Sequence, residues 1–176
     1  MLSWLAVDGT AAIVEFPGVL YRGAAEAKIR QYLVENNYID AVIQLPADLF
    51  FGTTIGTCII VFKKSKQDNS VLFVDASKQF VREGNKNKLS AENQEMILET
   101  LAKRADVDHV AALVGADAIR ENGFNLSVSS YVEAEDTREE VDIVELNARI
   151  KEIVERQAVL RASIDEIVAD LEGGAQ

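Results

Sequence analysis

The side chains able to do chemistry are few and scattered: the chain has one histidine, His109, and one cysteine, Cys58. His109 sits in Asp106-Val107-Asp108-His109-Val110, with acidic neighbours but no nucleophile or second ligand close in sequence. It reads as a surface or helix-end histidine rather than a catalytic one. Cys58 opens an apolar run, where a free thiol serves as a small hydrophobe. A lone cysteine also excludes an internal disulfide and a multi-thiolate metal site, which fits a reducing compartment. Asp75 closes another apolar run and is a candidate for polar work at a sheet edge. No GxGxxG turn and no GxxxxGK[ST] phosphate loop is present. No catalytic residue and no metal ligand is therefore expected. The segment that looks costly without a purpose is Leu49-Phe50-Phe51-Gly52-Thr53-Thr54-Ile55-Gly56, which sets paired aromatics beside flexible residues. Such loops shape ligand pockets. The alternative is that Phe50 and Phe51 cover the sheet edge as core.

A second feature is the spacing near the carboxyl end. Ile143, Leu146, Ile150, Ile153, Gln157, Leu160, Ile164, Ile167 and Leu171 step by threes and fours, a heptad seam. Its polar member, Gln157, falls at an a position, where such a residue fixes register or partner. Val154 and Val168 widen the stripe, as expected for a helix entering a bundle of more than two. At 1.5 Å per residue the stripe is about 43 Å long, and it overhangs a domain whose radius of gyration is about 14 Å. The helix either folds back on the chain's own core or serves as a docking arm for another chain.

The elements that position these residues alternate between strand and helix. Residues 11–16 form a near-continuous apolar run closed by Pro17, which predicts a strand buried on both faces. Ala25, Ile29, Tyr32 and Leu33 predict an amphipathic helix over 24–35, capped by Asn36-Asn37. Residues 39–45, closed by Pro46, repeat the strand pattern and complete a parallel strand-helix-strand unit. Both prolines of the chain thus mark the carboxyl ends of parallel strands, the edge where open α/β sheets bind ligands. Strands at 57–62 and 71–75 are expected to pair as a long-looped hairpin. Residues 85–88 read as a loop, Ser90 starts a helix to about Arg104 with Met96, Ile97 and Leu101 inward, and 116–122 is a short helix stopped at Gly123. Residues 1–5 suggest the end of a helix, followed by the Asp8-Gly9 turn.

Charge divides the chain. Of its 176 residues, 133–172 hold 13 Asp and Glu against 5 Lys and Arg, while 1–132 hold 16 against 13. The total of −11 makes an extended phosphate-neutralising surface a poor expectation. No apolar run approaches the roughly 18 residues that span a bilayer, and no basic-then-apolar leader opens the chain. The expectation is a soluble, cytoplasmic protein with no membrane partner.

Residues 9–64, GTAAIVEFPGVLYRGAAEAKIRQYLVENNYIDAVIQLPADLFFGTTIGTCIIVFKK, resemble the later part of the catalytic domain in the modification (M) subunits of type I restriction-modification systems, the N6-adenine DNA methyltransferases. The resemblance continues through VLFVDAS at 71–77 and IRENGFNLSVSSYV at 119–132. It implies an α/β fold: a partial Rossmann-like methyltransferase sheet of later strands over 1–132, then a long coiled-coil-type helix in an arm at 133–176. Such subunits are similar in ending with a helix that docks on the DNA-specificity subunit. The implied partners are that subunit, a second modification subunit and the restriction subunit, with DNA met only through the complex.

In this family the S-adenosylmethionine loop and the Asn-Pro-Pro-Phe/Tyr tetrapeptide lie upstream of the segment matched here. The expectation is therefore a C-terminal portion, inactive alone, whose cofactor binds in the full-length subunit. The tetrapeptide grips a flipped adenine whose amino group must be held in line with the methyl. What the resemblance leaves here is one wall of that pocket, from Phe50, Phe51, Gly52 and Thr53. One departure is Ile55-Gly56-Thr57, where the family usually carries Ile-Pro-Thr, which loosens the loop. The rival expectation is an autonomous adaptor, not an enzyme, that dimerises through 143–171. Half a sheet would also leave a raw edge, predicting self-association or limited stability.

Overall fold

The computed structural model describes residues 2–135 and 143–173, with no statement for the side chains of Glu166 and 170–173. The chain divides into two compact units, residues 1–135 and 136–176, each described by itself.

In the first unit β1 (Thr10–Glu15), β2 (Ile39–Gln44), β3 (Cys58–Lys63), β4 (Ser70–Asp75) and β7 (Ala111–Gly115) form one sheet in the order β1-β3-β2-β4-β7. β3 lies antiparallel between β1 and β2, β2 and β4 are parallel, and β4 and β7 are antiparallel. β1 and β2 therefore run the same way, as the strand-helix-strand pattern predicts, but they are not neighbours. The expected hairpin of 57–62 with 71–75 is overturned, because β3 pairs with β1 and β2 on its two sides and never with β4. The connection at 64–69 is instead a crossing held by Lys66, whose Nζ donates to the carbonyls of Ile39 at 2.7 Å and Ser70 at 2.6 Å.

The continuous apolar runs of β2 and β4 suit strands covered on both faces. Val42 and Phe73 point into one core with Leu20, Val34, Ile119 and Leu126, while Ala41, Ile43, Leu72 and Val74 point into another with Ile97. β1 departs from its expectation: it alternates exposed and half-buried residues, because it is an edge strand with Val14 49% exposed.

α1 (Ala24–Glu35) forms where its spacing predicts, and Asn36 caps it, its Nδ2 donating to the Tyr32 carbonyl at 2.8 Å. Its buried face, however, is Arg30 and Val34, with Ile29 and Tyr32 more than half exposed. Arg30 turns inward because two backbone carbonyls outside its own helix need donors: Nε reaches Phe124 and Nη1 reaches Val19, both at 2.9 Å. α2 (Ala91–Lys103) matches its expectation, with the Ser90 hydroxyl and the Asn93 amide closing a reciprocal cap. α3 (Ala116–Glu121) ends where Gly123 takes φ +63. Residues 2–4 form one short 3-10 turn. The expected loop at 85–88 is instead half of a hairpin, β5 (Val81–Glu83) with β6 (Lys86–Lys88), turning at Gly84 with φ +61.

The second unit contains α4 (Ile143–Gly173), one helix of 31 residues.

Candidate functional site

Because β1 and β2 run the same way, their carboxyl ends meet at one edge of the sheet, and Cys58 at the start of β3 lies between Glu15 and Gln44. The chain from Leu45 to Thr57 loops out at that edge. Its two ends are tied together: Leu45 N donates to the Thr57 carbonyl at 2.8 Å and Gln44 Nε2 to the same oxygen at 3.2 Å. Gly56 fits this neck, since a Cβ there would lie 3.2 Å from the Leu45 carbonyl oxygen and 3.3 Å from Gln44 Nε2. The neck is therefore tightly packed around Gly56.

Farther out, the β5-β6 hairpin grips the loop. Asn87, buried, donates from Nδ2 to the Ala47 carbonyl at 2.8 Å and from its backbone N–H to the Asp48 carbonyl at 3.1 Å. Lys86 Nζ donates to the carbonyls of Phe50 at 3.2 Å and Thr53 at 3.1 Å, and stands 4.0 Å from the Asp48 carboxylate. Arg82 lies 3.6 Å from the same carboxylate. Asp48 itself takes φ 55 and Gly52 φ +81, so the tip is bent into a fixed shape. The Thr53 hydroxyl accepts from Ile55 N at 3.1 Å.

The outcome is a cavity of about 280 Å³ between β1 and the loop, lined by Val14, Glu15, Phe16, Phe50, Phe51, Thr53 and Thr57. Phe50 is 39% exposed and Phe51 fully exposed, so neither is core. The alternative that both cover the sheet edge is thus overturned. The structure brings Phe50, Phe51 and Thr53 together at this cavity; Gly52 shapes the tip without lining it. Sequence reading missed Val14, Glu15, Phe16 and Thr57. Pro17, marking the strand end, was the available signal for Phe16. Thr57 is 5% exposed and its Oγ1 has no hydrogen-bond partner, a costly state for a buried hydroxyl. Aromatic walls, a carboxylate and hydroxyls around a cavity of this size suit a flat heteroaromatic ring that bears polar edges.

The other candidates separate from this site. Cys58 is fully buried, its Sγ donating to the Glu15 carbonyl at 3.4 Å, and burial, with the Glu15 charge adding to it, pushes its thiol from 9.0 up to about 11. It is the inert packing residue expected. Asp75 accepts from Ser77 N at 2.8 Å, which closes the turn after β4. His109 is exposed, with Nδ1 3.1 Å from the Glu133 carbonyl oxygen. Among the described residues no group of three or more His, Cys, Asp or Glu could hold a metal. A larger cavity of about 380 Å³ under α1 is lined mainly by apolar residues, among them Ile13, Leu33 and Phe62. Burial of Arg30 beside it lowers that guanidinium from its ordinary value, opposed by the Glu26 charge.

On α4 the heptad residues lie on exposed positions: Ile143 is 70% exposed, Leu146 46%, Ile150 47%, Ile153 65%, Leu160 57%, Ile164 60% and Ile167 59%. Gln157 is exposed as well, and the side chain of Leu171 lies outside the described residues. No described helix is long and apolar enough to cross a membrane.

Comparison with known proteins places this arrangement. The family model for N-6 DNA methylase matches residues 1–140. The methylase subunit of the type I restriction enzyme MpnII of Mycoplasma pneumoniae is 45% identical over 168 residues, 95% of this chain and 31% of that protein. That of MjaVIII from Methanocaldococcus jannaschii is 35% identical over 89% of this chain and 29% of that protein. Among solved structures, the methyltransferase subunit of a type I restriction-modification system from Streptococcus thermophilus has a TM-score of 0.70 and 43% identity, covering 71% of this chain and 27% of that one. The EcoKI M protein shares the fold, with a TM-score of 0.57 at 14% identity over 89% of this chain and 41% of that one. The chain spans about a third of the length of the relatives it matches.

Proposed function

This chain belongs to the N-6 DNA methylase family, among the methylase subunits of type I restriction enzymes, and from that premise we propose that it works as the carboxyl-terminal portion of such a subunit. In this reading residues 1–132 are the later strands of a Rossmann-like catalytic sheet, and residues 133–176 are a coiled-coil-type arm. The observation that carries the reading is the aromatic cavity at the carboxyl edge of β1 and β2, walled by Phe50 and Phe51 and held open by the β5-β6 hairpin.

Methylating an adenine amino group inside duplex DNA requires the base to leave the stack. An extruded base needs a π-face to replace its lost neighbours, which is the role assigned to Phe50 and Phe51. Stacking of this kind is worth about 1–3 kcal/mol per base. Gly52 permits the bend that presents the rings, and Thr53 braces the tip. S-adenosylmethionine supplies the methyl group when bound to the full-length subunit. The residues described at this site are aromatic walls, hydroxyls and one carboxylate, and no glycine-rich acidic turn stands among them. They fit the base side of the reaction rather than the cofactor.

The arm docks on the DNA-specificity subunit, which reads the sequence, within an assembly that also holds a second modification subunit and the restriction subunit. An acidic chain meets DNA through that complex, in the cytoplasm. The test uses the full-length modification subunit carrying Phe51→Ala, assembled with its specificity subunit, on DNA with 2-aminopurine at the target adenine. Because Phe51 is fully exposed, folding is unaffected, while loss of one stacking face lowers target-site affinity about 5- to 150-fold. Unchanged fluorescence and unchanged methyl transfer would remove Phe51 from the site.

A further inference from the structure

Two buried side-chain atoms among the described residues lack a hydrogen-bond partner, Glu26 Oε2 and Thr57 Oγ1. Glu26 is partly exposed and its other oxygen stands 3.9 Å from Arg22, so that carboxylate is solvated and its charge is met. Thr57 has neither relief. It is 5% exposed, and a buried hydroxyl without a partner costs free energy that an apolar isostere would not. Its position makes the cost informative, because Thr57 lines the cavity walled by Phe16, Phe50 and Phe51. The ladder between β1 and β3 pairs Val14 with Ile59 and Glu15 with Cys58, and carried one step on it sets Phe16 beside Thr57. By strand alternation Val14, Phe16 and Thr57 then share one face, while Cys58 points to the other.

The backbone of Thr57 is held on both sides. Its carbonyl accepts from Leu45 N at 2.8 Å and from Gln44 Nε2 at 3.2 Å, and the next residue is fixed by Cys58 Sγ donating to the Glu15 carbonyl at 3.4 Å. The side chain keeps its χ1 freedom. Oγ1 is closed to solvent as it stands, but it holds no hydrogen bond, so a step to another staggered well presents it to the cavity without breaking one. What such a hydroxyl needs first is an acceptor for its proton, since orphaned buried donors are rarer in proteins than under-used acceptors. A flat heteroaromatic ring offers acceptors at its ring nitrogens. We infer that Thr57 Oγ1 donates to a ring nitrogen of the base stacked on Phe50 and Phe51, which makes Thr57 a specificity-determining residue of this site. Binding then removes the cost that the unpaired hydroxyl imposes on the fold, and a ring with C–H at the contacted point is disfavoured because it leaves that hydroxyl unpaired. The inference rests on the base-pocket reading above and adds to it the atom of the base that this chain contacts.

The test uses the full-length modification subunit assembled with its specificity subunit, and duplexes carrying adenine or its 1-deaza, 3-deaza or 7-deaza analogue at the target position. Each analogue replaces one ring nitrogen by C–H. Thr57→Val, which keeps the branched shape, should lower affinity for the adenine duplex about tenfold, while Thr57→Ser stays within about twofold of wild type. With one of the three analogues the gap between wild type and Thr57→Val should close, because the contacted nitrogen is then missing for both. A gap that persists on all three analogues would mean that Thr57 only shapes the wall, and would overturn the inference. So would a clear loss of stability in Thr57→Val by denaturant unfolding, since the hydroxyl would then be satisfied within the protein. If Phe51→Ala weakens binding while Thr57→Val leaves it within twofold, the base-pocket reading stands and the inference falls. If neither variant changes target affinity, the base-pocket reading falls and takes the inference with it.

Discussion

Asn87→Ala tests whether the β5-β6 hairpin clamps the aromatic loop. The wild-type amide makes two side-chain bonds from a site only 8% exposed: Nδ2 to the Ala47 carbonyl at 2.8 Å, and Oδ1 from Arg82 Nη1 at 3.0 Å. The backbone bond from Asn87 N to the Asp48 carbonyl, at 3.1 Å, survives the substitution. A neutral bond contributes about 0.5–1.5 kcal/mol net, and one to a charged group about 1.5–3. Arg82 is half exposed, which puts its bond at the lower end, and Ala47 is exposed, so water can satisfy the freed carbonyl. The expected loss is about 1–2 kcal/mol. It falls on local opening more than on global unfolding, because the hairpin touches the loop and little else. Amide exchange at Asp48 and Ile55, whose N–H groups bond within the loop, should accelerate about tenfold, the equivalent of about 1.4 kcal/mol. Urea denaturation followed by hydrogen-deuterium exchange reads both. Loop protection unchanged by Asn87→Ala, with stability within a few tenths of a kcal/mol, would refute the clamp.

Three further outcomes follow from the geometry. Thr57→Val removes a buried hydroxyl that has no partner and keeps the shape, so stability should hold or rise by up to about 1–3 kcal/mol; a clear loss in denaturant would show that Oγ1 is satisfied. The Cys58 thiol, raised from 9.0 to about 11 by burial, should resist alkylation at pH 8 in the native protein and react once denaturant is added. Since the folded state holds that proton more tightly, stability is independent of this group below pH 9 and declines as pH rises from 9 to 11; a rise over that window would contradict the assignment. Val14→Lys places a charge on the exposed face of the edge strand β1, and should reduce self-association measured by light scattering without a large change in unfolding midpoint.

What was legible in the sequence was local. Ser90 before an apolar spacing of Met96, Ile97 and Leu101 specifies α2, because cap and stripe lie within one helix. The run of β2 announces burial on both faces, whereas the same pattern in β1 belongs to an edge strand with exposed residues, and Pro17 and Pro46 mark the strand ends that form the site's edge. Phe50 and Phe51 stood out because adjacent aromatics in a glycine loop lack a local reason. The heptad seam needs no partner to be seen.

What only the tertiary structure decided depends on groups far apart in the chain. An apolar run says that a strand is covered, not by which neighbour, so the insertion of β3 between β1 and β2 could not be read from it. β7 is short and composed of Ala, Leu, Val and Gly, and only the ladder to β4 makes it a strand. Arg30 faces inward because the carbonyls of Val19 and Phe124, 11 and 94 residues away, lack other donors. The β6 half of the hairpin, Lys86-Asn87-Lys88, is polar and reads as loop, yet Lys86 and Asn87 bond to backbone more than 30 residues away. Periodicity and capping are encoded within a few residues, whereas strand order and backbone satisfaction are settled by the whole chain at once, and the aromatic cavity belongs to that second kind.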